Sequence, residues 1–255
     1  MSCQPPSHRR RTIAPPAALL DLDAVDLAID GKSVLRGIRL QTDAPRVAVL
    51  GRNGSGKSTL ARVMAGLQKL DRGRVRIAGV DVVRDRRGAL GAVGILFQNP
   101  DHQIIFPTVQ EELAFGLSQM GLSKLQVAAR VAQTLAEFAK AHWAQAAIHQ
   151  LSQGQRQLVC LMAILAMRPR VIVLDEPFAG LDIPTAMHLT RVLARVEGTL
   201  VQITHDPQTI ITYDHALWIE EGTVLMQGTA QDVATAYAQA MQDRGARDDL
   251  ADITG

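Results

Sequence analysis

The chain has 255 residues, 47% of them apolar, enough for one large domain or two small ones around an ordinary core. Charged residues make up 20% and the formal net charge is +2, too balanced for a nucleic-acid partner, whose binding requires many phosphates to be neutralised by clustered Lys and Arg. Cys3 and Cys160 lack metal-ligand spacing, which points to a reducing compartment. The N-terminus lacks the apolar stretch of a signal peptide, and no run approaches the roughly 20 apolar residues that span a bilayer, so any membrane role is expected to come through a partner.

Residues 1–18 read as a flexible tail. It carries the basic run His8-Arg9-Arg10-Arg11 among prolines and is solvated or drawn to anionic headgroups. Leu20, Leu22 and then Val25, Leu27, Ile29 suggest short strands ahead of an Asp30-Gly31 turn. Arg46 to Leu50 is a short apolar run, the pattern of a strand buried in a parallel sheet, and it feeds into a glycine-rich segment. Lys57 to Leu67 reads as a helix with Gly66 near its end, and Val93 to Gln98 as another strand. Thr108-Val109-Gln110-Glu111 has capping-box spacing and opens a helix to about Met120, followed by helical periodicity from Leu122 to Lys140. Ser152-Gln153-Gly154-Gln155 repeats the cap spacing and opens a helix to about Met167, stopped by Pro169. Strands return at Val171 to Leu174, Leu200 to Thr204, Ala216 to Ile219 and Val224 to Met226, with a helix from Pro184 to about Val196 between the first two. Residues 230–255 read as one helix and a frayed end.

The chemistry starts at Gly51-Arg52-Asn53-Gly54-Ser55-Gly56-Lys57-Ser58, which fits G-x-x-x-x-G-K-[ST] at every fixed position. Glycines let backbone N–H groups turn inward around phosphates, Lys57 supplies a point charge, the Ser58 hydroxyl can ligate magnesium, and the following helix adds its positive end. These residues and the adjoining Thr59 are the candidate ATP-binding set. A second constellation is Val171-Ile172-Val173-Leu174-Asp175-Glu176, an apolar strand ending in two carboxylates. At such a strand end carboxylates point into the ligand crevice: Asp175 to hold the magnesium shell, through water, and Glu176 to take a proton from, or orient, the attacking water.

Together with Leu151-Ser152-Gln153-Gly154-Gln155, this set resembles the nucleotide-binding domain of ABC ATPases, over roughly residues 19–228. The resemblance implies an α/β fold with the P-loop NTPase core of that family, a mixed sheet with flanking helices, and an inserted helical subdomain at about 99–168. Residues 229–255 would form a short C-terminal helix and tail. It makes Ser152, Gln153, Gly154 and Gln155 the signature that reaches a partner subunit's ATP, with Gln153 where glycine is usual. It makes Gln98 the Q-loop glutamine on magnesium, Asp182 in Ala179-Gly180-Leu181-Asp182 the residue of the dimer-contacting D-loop, and His205 the switch histidine beside Glu176 in catalysis. The family's adenine-stacking aromatic has no counterpart; Ile29, with Val34 nearby, stands in its place.

The stretch from Phe97 to Gly116 is similar to the ATPases of energy-coupling factor (ECF) importers, and the short C-terminal region to those of biotin systems more than of cobalt or nickel ones. That likeness implies a homodimer, a transmembrane coupling protein, a substrate-binding membrane protein, and a place on the cytoplasmic face of the cell membrane. Other readings are the ATPase of another ABC importer, a DNA-acting ABC ATPase, which needs a long coiled coil between Gly51 and Ser152, and a small-molecule P-loop kinase, which needs neither the signature nor His205.

Overall fold

A computed structural model describes residues 18–246. The basic run at residues 8–11 and the last nine residues, expected as tails, lie outside the described residues. β1 (Leu20–Ile29) and β2 (Lys32–Thr42) pair antiparallel through Asp30-Gly31. Both turn residues have positive φ, 50° and 78°, the geometry that follows the right-handed twist of a hairpin. The expectation of separate short strands is corrected here: residues 20–29 form one strand, whose alternation is broken by register shifts on both sides of Val25. β3 (Arg46–Leu50) follows as expected, and α1 (Lys57–Met64) closes short of Gly66, which has φ 70°.

β4 (Arg72–Ile77), β5 (Val80–Asp81) and α2 (Arg86–Ala92) were not expected, nor was β2. Arg72, Arg74 and Arg76 pair across the sheet with Asp26, Asp23 and Asp21, so charges occupy alternate positions of β4, recur along β1 with a register shift between Asp23 and Asp26, and dilute the apolar pattern. β6 (Val93–Leu96) stops two residues before Gln98. Three helices then open on capping boxes: α3 (Val109–Gln119) at Thr108, α4 (Lys124–Glu137) at Ser123 and α5 (Gln153–Met167) at Ser152. α4 is shorter than expected at both ends, because Ser123 and Gln126 cap each other's backbone and leave Leu122 in the turn. β7 (Val171–Asp175), α6 (Ile183–Ala194), β8 (Thr199–Thr204), β9 (His215–Glu220), β10 (Thr223–Gly228) and α7 (Ala230–Gly245) complete the described chain.

The strands form two sheets, a four-stranded antiparallel one in the order β2-β1-β4-β5 and a six-stranded one in the order β10-β9-β3-β8-β7-β6. In the larger sheet β9, β3, β8, β7 and β6 run parallel and β10 is antiparallel at the edge. β3 and β7 in its middle carry unbroken apolar runs because both their faces are covered. Val47, Val49, Val171, Val173, Val201 and Ile203 face α1 and the smaller sheet. The alternate residues Ala48 and Leu50 pack under α7, and Ile172, Leu174 and Leu200 under α5 and α6. A separate apolar cluster joins α3, α4 and α5 through Leu113, Leu117, Val131, Leu135 and Val159. The fold is α/β, a mixed sheet with flanking helices, and the C-terminal ends of its parallel strands converge where β3 turns into α1.

Candidate nucleotide site

The loop after β3 is shaped by what lies behind it. A side chain at Gly51 would run into the Ile219 carbonyl and the Ser55 hydroxyl, and one at Gly56, where φ is 100°, would come within 2.9 Å of the Val34 carbonyl. Only glycine takes both positions without strain. Gly56 stands at the N-cap of α1 with no side-chain bond to the helix, so the first N–H groups of α1 are free for an anion. Lys57 folds back over the loop, its Nζ donating to the carbonyls of Gly51 at 2.8 Å and Arg52 at 2.9 Å. Burial pulls its ammonium below the usual lysine range, against the opposing pull of Glu176 and Asp175.

The cleft over this loop has a volume of about 270 Å³. Asn53, Gly54, Gly56, Lys57, Ser58 and Thr59 line one side, with Gln98, Glu176 and His205 across from them. Val34 also lines it; Ile29 does not, and is 38% exposed. Ser58 Oγ donates to Asp175 Oδ1 at 3.1 Å. Burial pushes the Asp175 carboxyl above the ordinary range, opposed by that hydrogen bond and reinforced by Glu176. Glu176 follows β7 in the left-handed region, φ 47°, with its N–H bonded to the Ile203 carbonyl at 3.0 Å. A non-glycine residue at that φ is uncommon, and here it turns the side chain toward His205, whose Nδ1 lies 2.8 Å from Glu176 Oε1. Ser58, Gln98 and Asp175 offer oxygen atoms only, the donor chemistry of a hard divalent cation that keeps waters and takes the rest of its shell from phosphate.

The residues expected to form the signature lie elsewhere. Ser152 caps α5, its Oγ accepting from Gln155 N at 3.3 Å while Gln155 Oε1 accepts from Ser152 N at 2.8 Å. Asp182 caps α6 by accepting from Thr185 N at 2.9 Å. The two caps are neighbours: a side chain at Gly154 would run into Thr185, and one at Gly180 would meet Gln153 Nε2 at 2.9 Å. Gln153 therefore lies against the segment that carries Asp182, which accounts for how a long side chain fits where glycine is usual.

Sequence reasoning missed three polar anchors. Gln157, almost fully buried in α5, donates from Nε2 to the Phe97 carbonyl at 3.2 Å. Arg156 pairs with Asp101 at 3.0 Å, and buried Glu112 accepts from the N–H groups of Ile105 and Phe106 at 3.0 and 2.9 Å. Gln157 and Glu112 interrupt apolar helix faces, the one local sign that they bond inward.

Comparison with known proteins follows this geometry. The ABC transporter family matches residues 37–179. The biotin transport ATP-binding protein BioM of Rhodobacter capsulatus is 47% identical over 223 residues, 88% of this chain and 95% of that protein. The energy-coupling factor transporter ATP-binding protein EcfA of Methanothermobacter thermautotrophicus is 39% identical over 80% of this chain and 68% of its own. The structure of cbiO1 from Clostridium perfringens, part of the ABC transporter complex cbiONQ, superposes with a TM-score of 0.73 at 29% identity, covering 91% of this chain and 96% of that one. The chain thus belongs to the ABC transporter family of ATP-binding proteins and is an ABC-type ATPase.

Proposed function

We propose that the chain energises an ECF-type importer whose cargo is biotin. The observation that carries this reading is the 47% identity to a biotin transport ATP-binding protein over nearly all of that protein's length. Among the described residues no helix is long and apolar enough to cross a membrane. By its likeness to ATP-binding subunits of such importers, the chain works as the peripheral subunit on the cytoplasmic face, against a transmembrane coupling protein and a substrate-binding membrane protein. Residues 19–228 serve as the ATPase domain, 99–168 as its partner-facing helical part, and 229–255 as a short C-terminal helix and tail.

Within the site, Gly51 to Thr59 hold the phosphates. Lys57 exchanges its two carbonyl partners for phosphate oxygens, which relieves the burial of its charge. Ser58, Gln98 and, through water, Asp175 would hold Mg2+, which when bound would neutralise the charge that builds on the phosphates. Glu176 Oε1 accepts the proton of the attacking water, and His205 orients that carboxylate and contacts the terminal phosphate. Ser152, Gln153, Gly154 and Gln155 of a second copy close over the nucleotide, and the contact of Gln153 with Gly180 makes the signature and the Asp182 segment one moving piece. The product is a two-site homodimer that closes on ATP and reopens after hydrolysis.

The test is co-purification. Produced with the membrane proteins encoded beside it, the chain should be retained on them, and vesicles of the complex should take up labelled biotin only with ATP and with Glu176 intact. Retention with uptake of a cobalt or nickel ion instead overturns the cargo. Failure to associate with any membrane subunit overturns the importer.

A further inference from the structure

The β9–β10 turn lies directly behind the phosphate loop. Gly222 N donates to the Ser55 carbonyl at 3.0 Å, and its own carbonyl accepts from Arg36 N at 2.8 Å. Glu220, the last residue of β9, sets its carboxylate between two guanidinium groups from distant parts of the chain. Its Oε1 is 2.8 Å from Arg244 Nη1 and 3.9 Å from Arg52 Nη1. Trp218 Nε1 donates to the other oxygen at 3.4 Å, and the Glu220 side chain is only 13% exposed, so the carboxylate is fixed by its surroundings. Arg52 belongs to the loop itself: its carbonyl accepts from Lys57 Nζ and from Ser55 N. Arg244 belongs to the last turn of α7, which is seated on the same hairpin by Tyr237, edge-on to Trp218 with centroids 5.4 Å apart.

We propose that Glu220 is a positioning residue for the phosphate loop, and that Arg244 of the C-terminal helix sets how strongly Glu220 holds Arg52. This rests on the reading of Gly51–Ser58 as the phosphate site. One carboxylate oxygen faces both guanidinium groups, and its short 2.8 Å contact with Arg244 holds it 3.9 Å from Arg52. Without Arg244 the carboxylate is free to close on Arg52, which neutralises that cation and lowers the positive potential over the adjoining phosphate loop. Without the charge of Glu220, Arg52 loses its counter-charge and that potential rises. The two changes move ATP affinity in opposite directions, whereas loosened packing would weaken binding in both.

The experiment measures the ATP dissociation constant by calorimetry, with KM and kcat alongside, on the full chain with magnesium at low salt. Because the Arg52 pair is partly exposed, Arg244→Ala is expected to raise the dissociation constant about two- to fivefold and Glu220→Gln to lower it by a similar factor. Arg244→Lys should restore the parent value, the double variant should match Glu220→Gln alone, and neither change should act in an Arg52→Ala background. KM should follow the dissociation constant while kcat moves less. Lys57→Ala separates the two levels: if it binds ATP as the parent does, the phosphate-site reading falls and the proposal with it. If Lys57→Ala loses ATP while Arg244→Ala and Glu220→Gln shift affinity the same way, or not at all, only the proposal falls.

Discussion

His205 Nδ1 and Glu176 Oε1 are 2.8 Å apart, joining the end of β8 to the end of β7 across the mouth of the nucleotide cleft. The carboxylate has 12% of its surface exposed and the imidazole 58%, so the acid sits within the protein and the histidine at its opening. Replacing Glu176 with Gln keeps the shape and removes the proton acceptor. ATP binding should persist while kcat falls about 10²–10⁴-fold, the usual worth of a general base. His205→Ala, which frees the carboxylate to turn and removes a contact with the terminal phosphate, should also lower kcat. Single-turnover hydrolysis with a parallel binding titration checks both; parent-rate hydrolysis by Glu176→Gln would remove Glu176 from the role of base.

Burial weighs on the charge of Asp175. Its carboxyl is raised by burial, so protonation is favoured in the fold relative to the unfolded chain. The sign follows: the neutral form suits the native state below the unfolded carboxylate range, and stability is lost as pH rises through the folded value. Above that value the protein therefore carries the burden of a buried charge. Asp175→Asn removes it and can still accept from Ser58. It should melt higher than the parent at pH 7 to 8, with the gap narrowing toward pH 4, while hydrolysis drops. A lower melting temperature at pH 8 would contradict this.

Gly222→Ala puts a methyl group into the Val34 carbonyl at a residue whose φ is 76°. Left-handed strain and displacement together should cost about 1–3 kcal/mol in denaturant unfolding. Because the Gly222 N–H holds the Ser55 carbonyl, ATP affinity should fall as well. Unfolding at the parent midpoint would show that the turn yields freely.

Cys160 is buried in α5, and burial pushes its thiol up to about 12. Almost none of it is thiolate at pH 8, and the thiolate is the reactive form. In a Cys3→Ser background an aromatic disulfide reagent should leave the native protein unlabelled over an hour and label it fully in guanidinium. Prompt native labelling would mean that α5 opens readily.

What the sequence reveals depends on how local the cause is. β3 and β7 are legible because both faces of the central sheet are covered, which leaves unbroken apolar runs. Thr108 and Ser152 are legible because a capping box needs only four consecutive residues. β2 and β4 are not, since Arg39 and Arg74 reach aspartates on β1 and their charges read as surface until the partner strand is known. The cleft follows the same rule. Lys57 and Ser58 are legible from the loop motif and Glu176 from its strand end, whereas Gln98 and His205 are named only through the family resemblance; all five line one cavity. The left-handed backbone at Glu176, the seat of Gln153 on Gly180 and the junction at Glu220 depend on segments far apart in the chain, and no short window contains them.

Glu112 bears on a different part of the molecule. Its buried carboxylate grips two consecutive backbone N–H groups, those of Ile105 and Phe106, while Gln103 Oε1 accepts from Phe97 N and Asp101 is tied to Arg156. Ile105, 67% exposed, therefore stands on a backbone that is already ordered. A protein that seats on it meets a stiff strut rather than a loop that must first be immobilised, so little conformational entropy is lost on contact.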